Sequence, residues 1–194
     1  MTKKRASRKS FPKINGLLVK LRELSMADAE DISNLMSYNI SKSLWQIPYP
    51  YTVENASNFI NLSHIDFESQ KAVNFAIEYK NNPEGESPLV GIISLKNIDL
   101  NKKKAIVGYW IGELYWGKGI ATESVALVII YAFSMLGLDE ICAYVFSENE
   151  ASIRVIEKNG MIKKEELNEF NKMSGRYHRT TKYLIQRSDN LGKL

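Results

Sequence analysis

Between Leu89 and Leu136 the hydrophobic period of this chain changes from two residues to between three and four, and the change falls on a short segment with three glycines. Before it, Leu89 to Ile98 and Ala105 to Ile111 read as strands around the polar turn Asn101 to Lys104. After it, Ala121, Val125, Val128, Ile129, Ala132 and Leu136 recur along one side of a helix that Gly137 closes. Strand, glycine turn and helix in that order fix a local geometry. Gly117 and Gly119 carry no Cβ, so the backbone turns tightly and a ligand can come close, while the N–H groups at the helix start point at one spot. Such a turn favours an anion, a pyrophosphate for example.

The rest of the chain supplies the frame. Leu17, Val19 and Leu21 mark a first strand over 16–22, and Ser25 with Asp28 resembles a capping box that opens a helix through Ala29, Ile32, Leu35 and Met36. Leu44 to Tyr51 packs two prolines and three aromatics into an irregular loop, after which Thr52 caps a helix to about Phe67. Val73 to Tyr79 alternates as a half-buried strand, and 81–88 is a turn. Glu140 to Phe146 is a strand and Glu150 to Lys158 a helix ended by Asn159 and Gly160, followed by strands at Met161 to Leu167 and Lys182 to Gln186. This order predicts an α/β (α+β) domain: one mixed, mostly antiparallel sheet of about seven strands with about four helices on its two faces.

Length and composition bound the function. A chain of 194 residues with 44% hydrophobic content suits one domain, over 14–188, with a C-terminal tail at 189–194. The single cysteine, Cys142, forbids an internal disulfide, and no cluster around His64 and His178 has metal-ligand spacing, so a reducing, cytoplasmic setting without a metal is expected. The longest apolar run, Val125 to Leu138, is short of a membrane span and broken by Tyr131, Ser134 and Gly137, so no membrane partner is expected. Six of the 26 basic residues (Lys3, Lys4, Arg5, Arg8, Lys9 and Lys13) lie in the first thirteen positions. Without them 20 basic residues face 22 acidic ones, a net charge of −2. The basicity therefore belongs to an arm, 1–13, expected to be disordered, and nucleic-acid contact is expected at most from that arm. A monomer or homodimer is expected.

Two other phosphate-binding motifs compete for the glycine turn. A dinucleotide fingerprint would need a third glycine where Thr122 stands, and a βαβ setting; a P-loop would need a hydroxyl where Gly119 stands. Taken alone, the turn is also compatible with a glycine-rich connection that binds nothing. It has company, however. Gly108 to Ser124 (GYWIGELYWGKGIATES) resembles the acetyl-CoA signature of the GNAT superfamily, and more narrowly of its RimJ/RimL-type branch. Asn149 to Met161 (NEASIRVIEKNGM) resembles a second segment of that branch, as do the proline and aromatic loop from Leu44 to Ile60 and the pair Tyr177 and His178. Trp116 stands where the wider superfamily has arginine or glutamine, Met161 replaces an aromatic, and Arg179 an acidic residue.

The resemblance implies an acetyl-CoA-dependent N-acetyltransferase with no metal. It implies a splayed notch between the fourth and fifth strands, those ending at Ile111 and Phe146, where pantetheine lies as an extra strand against Trp110 and Ile111. It implies pyrophosphate on N–H groups of the turn, with Trp116, Gly117, Lys118, Gly119, Ile120, Ala121 and Thr122 as cofactor-binding positions, joined by Asn149 and Ser152. Ser152 matches a hydroxyl that returns a proton to the leaving thiolate, and Glu113 is the candidate base, with Glu169 a second carboxylate. Trp45, Tyr49 and Tyr51 would line the acceptor side. Tyr109 and Cys142 read as strand core, the cysteine as an inert thiol. The acceptor implied is the α-amine of a protein, of ribosomal-protein type; a small amine such as a polyamine or antibiotic is the alternative, and a CoA-binding module without catalysis is the third reading.

Overall fold

The computed structural model describes residues 10–44, 47–80, 87–171 and 175–190. Among these, eight strands form one sheet in the order β1-β2-β3-β4-β5-β6-β8-β7. They are β1 (Ile14–Asn15), β2 (Val19–Glu23), β3 (Val73–Tyr79), β4 (Leu89–Asp99), β5 (Lys104–Ile111), β6 (Glu140–Phe146), β7 (Ile162–Asn171) and β8 (Arg176–Gln186). Five α-helices accompany them: α1 (Ala29–Leu35), α2 (Tyr38–Ser43), α3 (Val53–Glu68), α4 (Ile120–Ser134) and α5 (Glu150–Lys158). All pairings are antiparallel except β5 with β6, which the crossover through α4 makes parallel.

Helices cover both faces, as the sequence implied. The larger core cluster joins Phe75, Ile93 and Val107 of the sheet to Val125, Val128 and Phe133 of α4. The smaller one joins Ala76, Leu89 and Ile92 to Ile32 of α1 and to Ala56 and Ile60 of α3. Lying between these two layers, β3 is buried from Val73 through Ile77. The expectation of a half-buried strand fails here because the alternation marks a change of helix layer rather than a change from core to water.

The caps behave as read. Asp28 accepts the Ser25 N–H at 2.7 Å, Thr52 accepts the Asn55 N–H at 3.2 Å, and Asn149 accepts the Ser152 N–H at 3.1 Å. The first long strand starts at Val19 rather than Gly16, because the Gly16 N–H bonds the Val19 carbonyl at 2.8 Å and turns the chain back from β1. That turn accounts for the eighth strand. The unforeseen helix, α2, has six residues and a Ser37 cap, too short to show a period. The final hairpin runs well beyond the expected strands, since past β6 it has little core to face and is written in cross-strand pairs such as Glu165 with Lys182. Residues 81–86 of the expected turn and 1–9 of the expected arm lie outside the described residues; Phe11, inside the stretch assigned to the arm, packs on Phe67 and Phe75 at 4.7 and 5.2 Å between ring centres.

Candidate active site

Strands β5 and β6 each hold their outer neighbour to the end and release one another early. β5 stays paired with β4 up to Ile111 opposite Gly91, and β6 with β8 up to Phe146 opposite Thr180. Between them only three pairs form: Lys104 with Glu140, Ala105 with Ile141 and Ile106 with Cys142. Beyond Ile106 the ladder stops and a notch opens between the fourth and fifth long strands.

The alternation of an antiparallel ladder decides which backbone groups face that notch. Gly112 N–H bonds the Val90 carbonyl at 2.8 Å, so Trp110 and Gly108 turn their groups to β4 while Tyr109 and Ile111 turn theirs to the opening. On the other wall, Ser147 N–H bonds Arg179 at 2.9 Å, which leaves Tyr144 facing the opening. The register thus corrects one expectation: Tyr109, not Trp110, shares the wall with Ile111. Trp110 instead packs its side chain with the smaller cluster. Its carbonyl lies so close to β4 that a Cβ on Gly91 would come within 2.3 Å of it. The Ile111 carbonyl accepts the Trp116 indole N–H at 2.7 Å, so Trp116 braces the end of β5 with its side chain.

The glycine turn follows at once. Gly119 is the N-cap of α4 with φ 80°, and no side chain caps that helix. The N–H groups of its first turn, at Ile120, Ala121 and Thr122, are therefore without intrahelical partners, as at any helix start. Ile120 buries its side chain in the core, so it can offer a ligand only its N–H. Gly117 and Gly119 are needed for conformation rather than for space: both have positive φ, no atom lies within 4 Å of a Cβ on Gly117, and one on Gly119 would only touch Leu18 at 3.4 Å. Lys118 sets its ammonium over the rings of Tyr115 and Tyr79, 5.2 and 5.8 Å from their centres.

One residue of the motif had been passed over. Glu123 accepts the N–H groups of Leu17, Leu18 and Val19 at 2.6, 2.8 and 2.9 Å, locking the β1–β2 turn against the start of α4. A carboxylate in the first turn of a helix that a glycine opens was the available signal.

Ser152 lies in the first turn of α5, where its Oγ stands 2.8 Å from the Tyr109 hydroxyl. Burial pushes Tyr109 up to about 12, against the lowering effect of the Ser152 hydrogen bond. Glu113 follows β5 directly and turns its carboxylate to α2, where it accepts from the Ser37 hydroxyl and, at 3.4 Å, from Asn39. No contact joins it to Ser152. Of the aromatic loop, Tyr49 is exposed against the Tyr38 ring, Tyr51 packs into the smaller cluster, and Trp45 lies outside the described residues. Glu169 accepts from Thr180 at 3.1 Å and His178 stacks on Phe146, while Tyr177 is exposed against Phe170. Cys142 is buried, its thiol pushed up to about 11 by burial and by Glu140, which keeps it protonated. Among the described residues no group of three His, Cys, Asp or Glu side chains could hold a metal ion, and no helix is long and apolar enough to cross a membrane.

A notch between strands that part, beside the glycine-led start of a helix that no side chain caps, leaves backbone groups free for a slender ligand with an anionic end. The acetyltransferase (GNAT) domain family matches residues 19–162, and the chain belongs to that family. It is an acetyl-CoA-dependent N-acetyltransferase. Among its relatives in Bacillus subtilis (strain 168), "Uncharacterized N-acetyltransferase YoaA" is 29% identical over 90% of this chain and 97% of its own. "Probable N-acetyltransferase YjcK" is 33% identical over 77% and 83%. "Putative ribosomal N-acetyltransferase YdaF" is 28% identical over 86% and 90%. Solved structures share the fold: a "Probable acetyltransferase" superposes with TM-score 0.80 at 24% identity, covering 91% of this chain and 98% of its own. The spermidine N-acetyltransferase of Vibrio cholerae does so with TM-score 0.77 at 24% identity, over 91% and 99%.

Proposed function

We propose that this enzyme acetylates the α-amine of a protein N-terminus, with a ribosomal protein as the type of acceptor. The observation that carries the cofactor half of the reading is the early release of β6 by β5, opposite the uncapped start of α4. Acetyl-CoA supplies an activated thioester. The chain supplies position and dipoles: the Ile111 N–H and the Tyr109 and Tyr144 backbone groups hold the pantetheine arm as an added strand, and N–H groups from Gly117 to Thr122 hold the pyrophosphate. A backbone N–H of β5 polarises the thioester carbonyl where negative charge develops. Ser152 returns a proton to the departing thiolate, and Glu113 takes the proton of the amine, directly or through one water.

For the acceptor half, the support is the face of the sheet opposite α4 and α5. A Cβ on Gly108 would meet nothing within 4 Å, and the exposed Tyr38 and Tyr49 rings stand on α2 and the loop after it. This suits an extended peptide end with room for side chains, and the resemblance to YdaF points the same way. The low net charge without the basic arm is less suited to a polycation. A small amine is the second reading, favoured by the fold shared with a spermidine N-acetyltransferase. Acetylation of a panel holding Ala- and Ser-starting peptides beside spermidine separates the two, and turnover of spermidine alone removes the α-amine reading. Isothermal titration of acetyl-CoA tests the cofactor site: binding is expected in the natural protein and lost in Gly119→Ile, where φ 80° and Leu18 at 3.4 Å both oppose a branched side chain.

A further inference from the structure

Tyr109 occupies a position that the core alone does not explain. Its ring packs against the larger apolar cluster and a phenylalanine would fill the same space. A phenol hydroxyl largely withdrawn from water is costly unless hydrogen-bonded, and this one is partly buried, so the partner it finds is informative. That partner is the Ser152 hydroxyl at 2.8 Å, with the Ser152 carbonyl at 3.5 Å. The bond crosses from β5 to α5 at the notch, since Tyr109 turns its backbone to the opening and its side chain to the helix layer.

We propose that Tyr109 is a positioning residue for the acetyl transfer: its hydroxyl donates to Ser152 Oγ and so directs the serine's own proton into the notch. A serine hydroxyl has one proton and two lone pairs. When Tyr109 fills a lone pair, the proton is free to aim at the thiolate. As the Oγ–H bond breaks, an S–H bond forms on CoA and a solvent proton reaches Oγ in the same step, so no alkoxide is left beside the more acidic phenol, and the Tyr109 hydrogen bond eases the partial charge that Oγ carries meanwhile. The proton lost by the acceptor amine returns to solvent and closes the balance. Burial holds Tyr109 in its protonated form up to about pH 12, so it stays a donor throughout the range in which an amine is acetylated.

The proposal rests on Ser152 acting as the proton donor, and the test separates the two claims. Initial rates and acetyl-CoA titrations are measured for the natural enzyme, Tyr109→Phe, Ser152→Ala and the double variant, with melting temperatures alongside. Ser152→Ala is expected to lower kcat by about 100-fold and Tyr109→Phe by about tenfold; the acetyl-CoA Kd is expected to be unchanged in Tyr109→Phe and to rise by less than about threefold in Ser152→Ala, whose hydroxyl is also an expected cofactor-binding position. The double variant is expected to match Ser152→Ala within about twofold, because Tyr109 acts only through the serine. A merely structural tyrosine would change melting temperature and leave kcat alone, or would add its loss to that of the serine; either result overturns the proposal while leaving Ser152 as donor. Full activity in Ser152→Ala overturns both.

Discussion

Removing the Glu123 carboxylate is the sharpest probe of how the anion-facing helix start is held. In Glu123→Ala three N–H groups lose their acceptor. That of Leu17 lies in an exposed bond and rehydrates at little cost, whereas those of Leu18 and Val19 are partly buried. Each of these two bonds to a charged group contributes roughly 1–1.5 kcal/mol after allowance for exposure, so the loss is about 2–3 kcal/mol. In a domain of this size that lowers Tm by roughly 4–12 °C. Scanning fluorimetry and urea unfolding measure it. Leu18 lies 3.4 Å from where a Cβ on Gly119 would stand, so slackening of the β1–β2 turn also reaches the glycine turn proposed to hold the pyrophosphate, and the Kd for acetyl-CoA should rise alongside. A Tm within 1 °C of the natural protein, in a variant with normal circular dichroism, would refute the reasoning, since it would mean that the three bonds contribute nothing net.

Other outcomes are expected elsewhere. Burial alone would raise Asp28 and Glu78, but hydrogen bonds from Arg22 to Asp28 and from Lys20 and Arg22 to Glu78 hold both carboxyls below their ordinary values. Their contribution to stability is present above the unfolded carboxylate range, near pH 4–5, and is lost as pH falls through the lower folded values; urea midpoints should be flat from pH 8 to 6 and fall below about pH 4. Arg22→Met leaves Asp28 without its cationic partner and Glu78 with Lys20 alone, and should cost about 3 kcal/mol by the same assay. Gly91→Ala drives a methyl onto the Trp110 carbonyl and should lower both stability, by roughly 1–3 kcal/mol, and acetyl-CoA affinity, because the wall of the notch must shift. Ser124 buries a hydroxyl that has no hydrogen-bond partner among the described residues, so Ser124→Ala should be neutral or raise Tm by a few degrees.

Much of this was legible in the residues. Period-two runs located β3, β4, β5 and β6, and caps such as Thr52 and Asn149 located helix starts to the residue, because each expresses a local requirement of the backbone. The glycine turn was legible for the same reason: positive φ at Gly117 and Gly119 is written in residue type. What stayed hidden depends on partners distant in sequence. The Glu123 bonds reach back more than a hundred residues, and the pairing of Tyr109 with Ser152 spans 43. The parity of β5, which turns Tyr109 rather than Trp110 toward the opening, is set by its register on β4, and no residue of β5 records it. Helix α2 and the far part of the last hairpin escaped because neither buries enough on one side to leave a period.

The notch has one more consequence. A sheet interrupted along its middle owns two extra edges, each a row of unpaired backbone groups of the kind that invites foreign strands and aggregation. At the rim of a sheet such edges are kept short or charged, as β7 is with its lysines and glutamates. Here they diverge from a common end that three residue pairs close, so each edge has the other strand, not open solvent, across the gap at its root. The enzyme thereby keeps a permanent template for strand addition within its own sheet rather than at its rim.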